Sequence, residues 1–364
     1  MFSPVSQRTV QKAQKPAPAP RAVPASTSNS RQPYFRDGFE QARPGAKGAS
    51  LTTAAVGAKG AVSASPPPDP SKTGVKIGPK LEHLGGGWIP QGQGYDASRN
   101  EFLTTYYQNN SVQLSVQNKG SGKETKLAKL GGTPLDPKNE VPKHGGGVAT
   151  DGRFVYVSDT KNIFVYTRAD IEKAKSGAQV HAIQKLPVNT PSNPPDKEKD
   201  KKYKEYKVAG SFIAVKDGYA YVGAFSGTGE NKGAVSRYKI DPLTGKIFNQ
   251  SRTGPIEAPK RAQGIAVVNG ALLFTTGEKK LIYQPITSTA DSFQANTSAR
   301  KDISNKKIGP YAQGINVIGN ELWVTYESGA KKYKNKLKSP YTPHEYIVGI
   351  PLNLLDLKAA GITP

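Results

Sequence analysis

The chain has 364 residues, of which 35% are hydrophobic, and its net charge is +23. This length allows one large domain or two ordinary ones, and 38 glycines and 29 prolines favour strands and turns over long helices. The absence of cysteine excludes disulfides and thiolate metal sites. The basic excess favours anionic partners such as nucleic acid, phospholipid or acidic polysaccharide, or it serves solubility alone.

Residues 1–72 are a low-complexity stretch rich in Pro, Ala, Gly and Lys. Aliphatic residues are so sparse there that burial cannot offset chain entropy. We therefore predict a disordered basic tail, residues 1–72, followed by one folded domain, residues 73–364. The tail has ten basic and three acidic residues, so +7 lies there and +16 on the rest. Three roles are possible for this tail: a delivery signal, a tether to nucleic acid or a surface, and a passive linker.

The N-terminus has no apolar segment of the kind that a signal peptide requires, and no stretch approaches about 20 apolar residues. We therefore predict no standard signal peptide and no transmembrane segment. Export by a non-standard route and a cytoplasmic location both stay open.

Two stretches, 261–276 and 311–326, are nearly the same, and each places Asn-Gly or Gly-Asn between two apolar runs. Such a dipeptide between β-rich runs is a strong hairpin signal. Similar hairpins are predicted at 93–107, 144–159 and 211–222. Aligned on the turn, the five copies share a column, with intervals of 52, 66, 52 and 50 residues, formed by Gly94, Gly146, Phe212, Gly264 and Gly314. The Lys-rich run 196–207 in the long interval is predicted as a solvated insertion.

Each hairpin is followed by a third strand, and the third strands are predicted at 112–116, 163–166, 235–240, 281–284 and 346–350. Outer fourth strands are predicted at 125–130, 180–183, 246–249 and, weakly, 299–303. The fifth copy has none of its own and runs into a short helix at 352–357. A strand around 74–77 can complete this last unit and close a ring. Four-stranded units of about 40–50 residues predict an all-β, five-bladed β-propeller.

Three segments carry a family resemblance: 88–96 (WIPQGQGYD), 103–107 (LTTYY) and 144–149 (HGGGVA). Together they resemble a group of uncharacterised, actinobacterial-type secreted β-propeller proteins, over about Gly85 to the end. The resemblance implies a bacterial source and an extracellular role. It implies no activity and no functional residue, and the chain departs from it in having no visible signal peptide.

In a propeller the starts of the inner strands and the ends of the second strands meet at one face, around the mouth of the central channel. We predict that a polar ligand such as a sugar binds there. The predicted ligand-binding residues are Gln93, Tyr106, His144, Ser211, Gln263, Glu278, Gln313 and Tyr326. The alternative interpretation is structural, with glycines allowing close strand packing and glutamines satisfying backbone groups.

His144 is the sharpest single candidate, because it is predicted at the mouth with Asp159 near it. A His–carboxylate pair can perform general acid–base chemistry, so His144 and Asp159 are catalytic candidates, although no second catalytic group is fixed by spacing. The sequence shows no metal motif, and we predict no metal and no cofactor. The nucleotide-binding look-alikes at 92–97 and 120–125 are interpreted as turns.

Two basic runs, 201–207 and 331–338, interleave tyrosines with lysines, a composition that suits single strands or polyanions. Lysine without arginine indicates loose charge contact rather than base readout. The leading hypothesis is a monomeric, non-enzymatic propeller that binds a polar small molecule, glycan or protein at its mouth, outside the producing cell. The alternatives are a carbohydrate- or lactone-directed hydrolase or lyase using His144, and a secretion-system cargo or polyanion binder.

Overall fold

A computed structural model describes residues 74–135, 140–188, 206–227 and 232–361. Five small sheets form the five blades of a β-propeller, as the repeat predicts. The predicted tail and most of the Lys-rich run 196–207 lie outside the described residues.

The blades are built mainly from short antiparallel strands, which are numbered along the chain. The strands are, in chain order, β1 Lys76–Lys80; blade 1, β2 Ile89–Asp96, β3 Glu101–Gln108, β4 Ser111–Asn118 and β5 Glu124–Leu130; blade 2, β6 Gly147–Thr150, β7 Phe154–Asp159 and β8 Asn162–Thr167, then β9 Gln179–Val180 and β10 Gln184–Pro187; blade 3, β11 Tyr206–Lys207, β12 Phe212–Lys216, β13 Tyr219–Gly223, β14 Lys232–Lys239 and β15 Thr253–Glu257; blade 4, β16 Ala262–Val268, β17 Ala271–Thr276, β18 Leu281–Ser288, β19 Phe293–Ala295 and β20 Lys301–Asp302; blade 5, β21 Ala312–Ile318, β22 Glu321–Tyr326 and β23 Tyr346–Pro351.

Helices are few and lie in the connections. The α-helices are α1 Arg168–Lys173 and α2 Lys331–Lys334, and the 3-10 helices are Leu84–Gly86, Asn249–Ser251, Thr297–Ala299, Glu327–Gly329, Leu352–Leu354 and Lys358–Ala360.

The inner hairpins close on residues with the left-handed backbone that their turns require. In blade 3 the turn residues Asp217 and Gly218 have φ of 49° and 76°, and in blade 4 Gly270 has φ of 69°. In blade 3 the two consecutive positive φ angles define a type I′ turn, whose twist matches that of paired strands. In the blade 4 turn the positive φ falls on the glycine. Local turn chemistry therefore sets the repeating hairpin.

The N-terminal strand closes the ring, as predicted. β1 pairs antiparallel with β23, so Lys76–Lys80 is the outer strand of blade 5. Lys76 also forms an ion pair with Glu321 on β22. Since the first strand completes the last blade, β23 is paired on both sides and the ring is closed between the two ends of the folded chain.

The predicted outer strands were right for blade 1 and wrong for blades 2 and 3. The segment 180–183 does not complete blade 2: Gln179–Val180 adds in parallel to β5 of blade 1, and β10 completes blade 2. The segment 246–249 makes only an isolated bridge, Ile240 with Ile247, and β15 is the outer strand of blade 3. In blade 4 the weakly predicted 299–303 contributes β20, and β19 pairs with the same strand.

The inner strands approach one another at backbone distance around the axis. A Cβ placed on Gly264 would lie 2.1 Å from the Gln313 carbonyl oxygen, and one on Gly314 would lie 2.2 Å from the Gln93 backbone nitrogen. Only glycine fits such contacts, so the shared column is a packing requirement.

Blade 1 corrects the alignment of this column. Its hairpin closes on the pair Asp96 and Glu101, as blades 4 and 5 close on Val268 with Ala271 and Ile318 with Glu321. Gly92, Gly264 and Gly314 precede these closing residues by the same number of positions. The member of the column in blade 1 is therefore Gly92 rather than Gly94, and the equivalent of Gln263 and Gln313 is Gln91 rather than Gln93.

Candidate functional site

The position before each column residue forms a ring at the mouth of the channel. Its members are Gln91, Gly145, Ser211, Gln263 and Gln313. Gln91 and Gln313 are 3% and 4% exposed, whereas Ser211 and Gln263 are half-buried. The two buried amides belong to the seams between blades and present little surface to a ligand.

A threonine near the end of the second strand fastens one blade to the next. Thr105 Oγ1 donates to the Gly145 carbonyl at 2.8 Å, and Thr275 Oγ1 donates to the Gln313 carbonyl at 2.7 Å. Both threonines occupy the same place in their blades, and both acceptors belong to the ring. In blades 2 and 5 this place is taken by Asp159 and Thr325, and the buried Thr325 Oγ1 meets no partner among the described residues. In blade 3 this place is taken by Gly223, which pairs with Phe212. The threonine of the repeat is therefore replaced in blades 2 and 3, and in blade 5 it does not make the contact.

Asp159 takes the position of the threonine in blade 2. The threonine hydroxyls donate a hydrogen bond to the next blade, whereas the carboxylate of Asp159 accepts one. Its Oδ1 accepts from the backbone N–H of His144 at 3.1 Å. The side chain is nearly buried, and this burial raises the pKa of Asp159, against the lowering effect of the Lys143 and His144 backbone N–H groups. Asp159 and His144 meet as predicted, but this contact runs through the main chain and orders the loop that precedes blade 2.

The imidazole of His144 lies against the phenol ring of Tyr107, with ring centroids 4.5 Å apart and planes inclined by 38°. Both side chains are half-buried. Trp88, also half-buried, precedes Ile89, which pairs with Tyr107 across the hairpin. The ring pair of Tyr107 and His144 lies at the mouth between blades 1 and 2, and Trp88 lies beside it in blade 1, packed with Tyr107 against one hydrophobic cluster. We name Trp88, Tyr107 and His144 the aromatic shelf.

Glycines after His144 let this loop reach the axis. A Cβ on Gly146 would lie 2.3 Å from the Ser211 carbonyl oxygen and 3.3 Å from His144 Nδ1, and Gly145 has φ of 61°. The run 144–147 therefore brings Gly146 and Gly147 against the start of blade 3 while His144 lies against Tyr107.

The junction of blades 5 and 1 holds a buried carboxylate. Gln91 Nε2 donates to Glu327 Oε1 and to the Pro90 carbonyl, the latter at 3.1 Å, and Glu327 is 3% exposed. Burial and the charge of Glu327 both raise the pKa of Tyr311. Gln91 is not among the predicted ligand-binding residues. The sequence signal for it is the tandem Gln-Gly of residues 91–94, in which either copy can fill the column.

Two predicted tyrosines lie in the core. Tyr106 is fully buried, edge-on to His83 at 5.3 Å, and its pKa is raised by burial and then by the charges of Glu124 and Glu82. Tyr326 is 1% exposed and stacks on His344 at 4.3 Å.

Burial shifts the titration of the stacked pair in opposite directions. It raises the pKa of Tyr326 to about 12 and lowers the pKa of His344 to about 4. Both rings are therefore neutral at physiological pH, which suits two stacked side chains inside the fold.

The other predicted residues are scattered. Gln93 is 4% exposed, and with its amide oriented to suit its neighbours it donates to the Trp323 and Gly314 carbonyls at 3.0 and 3.2 Å, so it satisfies backbone groups of blade 5. Glu278 is exposed in the β17–β18 turn and pairs with Lys280 at 3.3 Å.

Across residues 74–135, 140–188, 206–227 and 232–361, no group of three His, Asp or Glu side chains is arranged to hold a metal ion. None of the helices in these segments has the length and apolar character needed to cross a membrane.

No family model matches the chain, and no curated protein matches it. Several solved structures resemble it at low identity. Glutaminyl cyclase of Myxococcus xanthus is 11% identical with a TM-score of 0.38, over 76% of this chain and 94% of that one. A luciferin-regenerating enzyme is 11% identical with a TM-score of 0.40, over 76% and 80%. The calcium-binding protein regucalcin of Agrobacterium tumefaciens is 12% identical with a TM-score of 0.38, over 68% and 70%. At these values the likenesses bear on neither site nor activity.

Proposed function

We propose that the chain is a non-enzymatic propeller that binds a glycan-like polar ligand on the aromatic shelf. The observation that carries this proposal is the half-buried Tyr107–His144 pair at the mouth, at a place where the repeat is broken. The faces of sugar rings stack on aromatic side chains, while polar groups at the edge of a site fix orientation.

The hydrogen bonding of Asp159 favours binding over catalysis. A general base must reach the proton that it removes, and the Asp159 carboxylate is nearly buried and occupied by the His144 backbone N–H. The hydrolase or lyase alternative needs a different partner for His144.

Tryptophan fluorescence offers a direct test, because the chain has two tryptophans and Trp323 is 3% exposed. A ligand on the shelf therefore changes mainly the emission of Trp88. We expect neutral oligosaccharides to shift this emission, and Tyr107→Ala or His144→Ala to weaken binding by about tenfold, the value of one aromatic contact.

Phe248→Ala is the matched control: this ring is 44% exposed in the connection between the third and outer strands of blade 3, which lies on the opposite face. It should leave the affinity unchanged. Equal affinities for wild type and both shelf variants would refute the shelf as the site. Turnover of a carbohydrate or lactone that His144→Ala abolishes, with circular dichroism unchanged, would establish the enzymatic alternative instead.

We further infer that the protein acts outside the producing cell, on the strength of the resemblance to secreted propellers. Fractionation of a producing culture tests this, and recovery from the cytoplasm alone contradicts it. Deleting residues 1–72 asks whether the tail directs export; unchanged export removes the cargo hypothesis.

A further inference from the structure

We propose that the ligand of the aromatic shelf is an acidic polysaccharide, whose carboxylates are bound by a lysine-rich insertion on the same face. We name residues 327–345, between β22 and β23, the blade 5 insertion. This inference rests on the proposed function, since the shelf supplies the contact to the sugar rings.

The blade 5 insertion lies at the mouth because it follows the end of a second strand. The equivalent connections are far shorter, at 109–110 in blade 1, 160–161 in blade 2 and 277–280 in blade 4. The extra length therefore adds a specific structure above the channel rather than serving the repeat.

The insertion is held in place by its own apolar residues. Tyr333 is 1% exposed and packs against Tyr311 with ring centroids 4.9 Å apart. Ser328 Oγ accepts from the His344 backbone N–H at 3.1 Å, which ties the two ends together. Buried anchors fix the backbone, so the charged side chains project from a defined surface.

The insertion and the shelf share one hydrophobic cluster. Tyr333 and Ala330 lie in its buried part, and Trp88, Tyr107 and Leu337 pack against it. A Cβ on Gly329 would lie 2.8 Å from Leu84, on the segment that leads to Trp88. The two surfaces are therefore neighbours, and one extended ligand can touch both.

The exposed charge of the insertion is almost entirely positive. Its exposed basic residues are Lys331, Lys332, Lys334, Lys336 and Lys338. Of its two acids, Glu327 is buried and Glu345 pairs with Lys334 at 2.9 Å. Such a surface attracts anions and accelerates their association.

The aromatic residues decide against single-stranded nucleic acid. Tyr333 is buried and offers no face for a base to stack on. Tyr341 is exposed, but Lys279 of blade 4 lies 4.8 Å from its ring centroid and 3.1 Å from its hydroxyl. Binding of single strands depends on aromatic platforms along the charged track, and the blade 5 insertion offers none beside its lysines. The half-buried rings of the shelf lie next to these lysines and suit the face of a sugar ring.

The test compares an oligogalacturonate with its methyl ester, which has the same sugar backbone without charge. Affinity is measured by Trp88 emission at two salt concentrations. We expect the acidic oligomer to bind at least about tenfold more tightly at low salt, and the difference to shrink with salt. Replacing Lys331, Lys332, Lys336 and Lys338 with Gln should bring the ratio of the two affinities close to one.

The control replaces four lysines on the opposite face with Gln: Lys123, Lys175, Lys239 and Lys246. Net charge falls equally, and the ratio should stay high. An equal loss in both quadruple variants, or a wild-type ratio near one, overturns the inference while leaving neutral binding intact. Failure of the methyl ester to bind at all refutes the proposed function itself. Tighter binding of oligothymidylate of equal charge, lost in the same lysine variant, overturns the polysaccharide class.

Discussion

Alanine at Gly92 and at Gly94 should have very different effects, although the two glycines stand in the same tandem repeat. A Cβ on Gly92 would lie 2.4 Å from the Val148 backbone nitrogen and 2.5 Å from the Gly147 carbonyl carbon. Ordinary contacts of a Cβ are 3.4–4 Å, so the inner strands of blades 1 and 2 must separate by about 1 Å. Overpacking against backbone, which has no alternative rotamer, should destabilise by about 2–3 kcal/mol.

At Gly94 the same Cβ would lie 3.2 Å from the Val148 carbonyl oxygen, which a shift of a few tenths of an ångström relieves. Neither glycine has a positive φ, so backbone strain does not enter the comparison. Alanine also restricts the unfolded chain, which favours folding by about 0.4–1 kcal/mol. Gly94→Ala should therefore stay within about 1 kcal/mol of wild type.

Guanidinium unfolding followed by circular dichroism measures the difference, and thermal melts should show Gly92→Ala lower by about 5 °C, at about 2 °C per kcal/mol. Gly85→Ala, where a Cβ meets nothing within 4 Å, is the control for a harmless substitution. If Gly94→Ala is the more damaging change, the register assigned to blade 1 is wrong.

Three further predictions concern titration, buried charge and ring closure. Because the folded pKa of His344 is about 4, below its usual 6.5, the stability that it contributes is complete above about pH 6.5 and is lost as the pH falls toward 4. His344→Phe keeps a ring against Tyr326 but cannot be protonated. Between pH 7 and 4.5 this variant should therefore lose about 2–3 kcal/mol less stability than the wild type, measured by guanidinium unfolding. Arg237 is 1% exposed and its guanidinium donates to Thr253 Oγ1 and to three carbonyls of the β18–β19 turn; Arg237→Met should cost about 1–3 kcal/mol in the same assay, because it removes these charge-assisted hydrogen bonds while water can reach the turn carbonyls. Deleting residues 1–80, which removes β1, should lower the melting temperature and promote aggregation, seen by light scattering.

Each of these predictions has a control within the chain. Equal acid sensitivity of wild type and His344→Phe would show that this ring does not titrate as its burial implies. Lys239→Met, exposed on the same strand as Arg237, should change stability by less than about 0.5 kcal/mol. Deleting residues 1–73 keeps β1 and should preserve the melting temperature; equal losses for both deletions would contradict closure by that strand.

Burial that the repeat does not predict explains why two of the predicted site residues do not line the mouth. Tyr106 and Tyr326 stand at the ends of second strands, where a simple propeller places channel-mouth residues, yet both are buried against neighbouring segments. Tyr106 packs edge-on against His83, and Tyr326 stacks on His344; these histidines belong to irregular connections 23 and 18 positions away, whose path the repeat does not predict. His144 lies against Tyr107, which is not one of the predicted ligand-binding residues, and the role of His144 in binding stays a prediction.

The sequence by itself determined the five hairpins, the four-stranded blades and the closing N-terminal strand. Turn residues such as Asp217 and Gly218, and the alternation of the strands, are encoded in contiguous residues, so they can be read locally. Tertiary structure alone decided which Gln-Gly copy enters the axis, which segment completes blade 2, and that Asp159 binds backbone. These outcomes depend on pairing and burial between residues far apart in sequence, where several local patterns fit equally well and only packing selects among them.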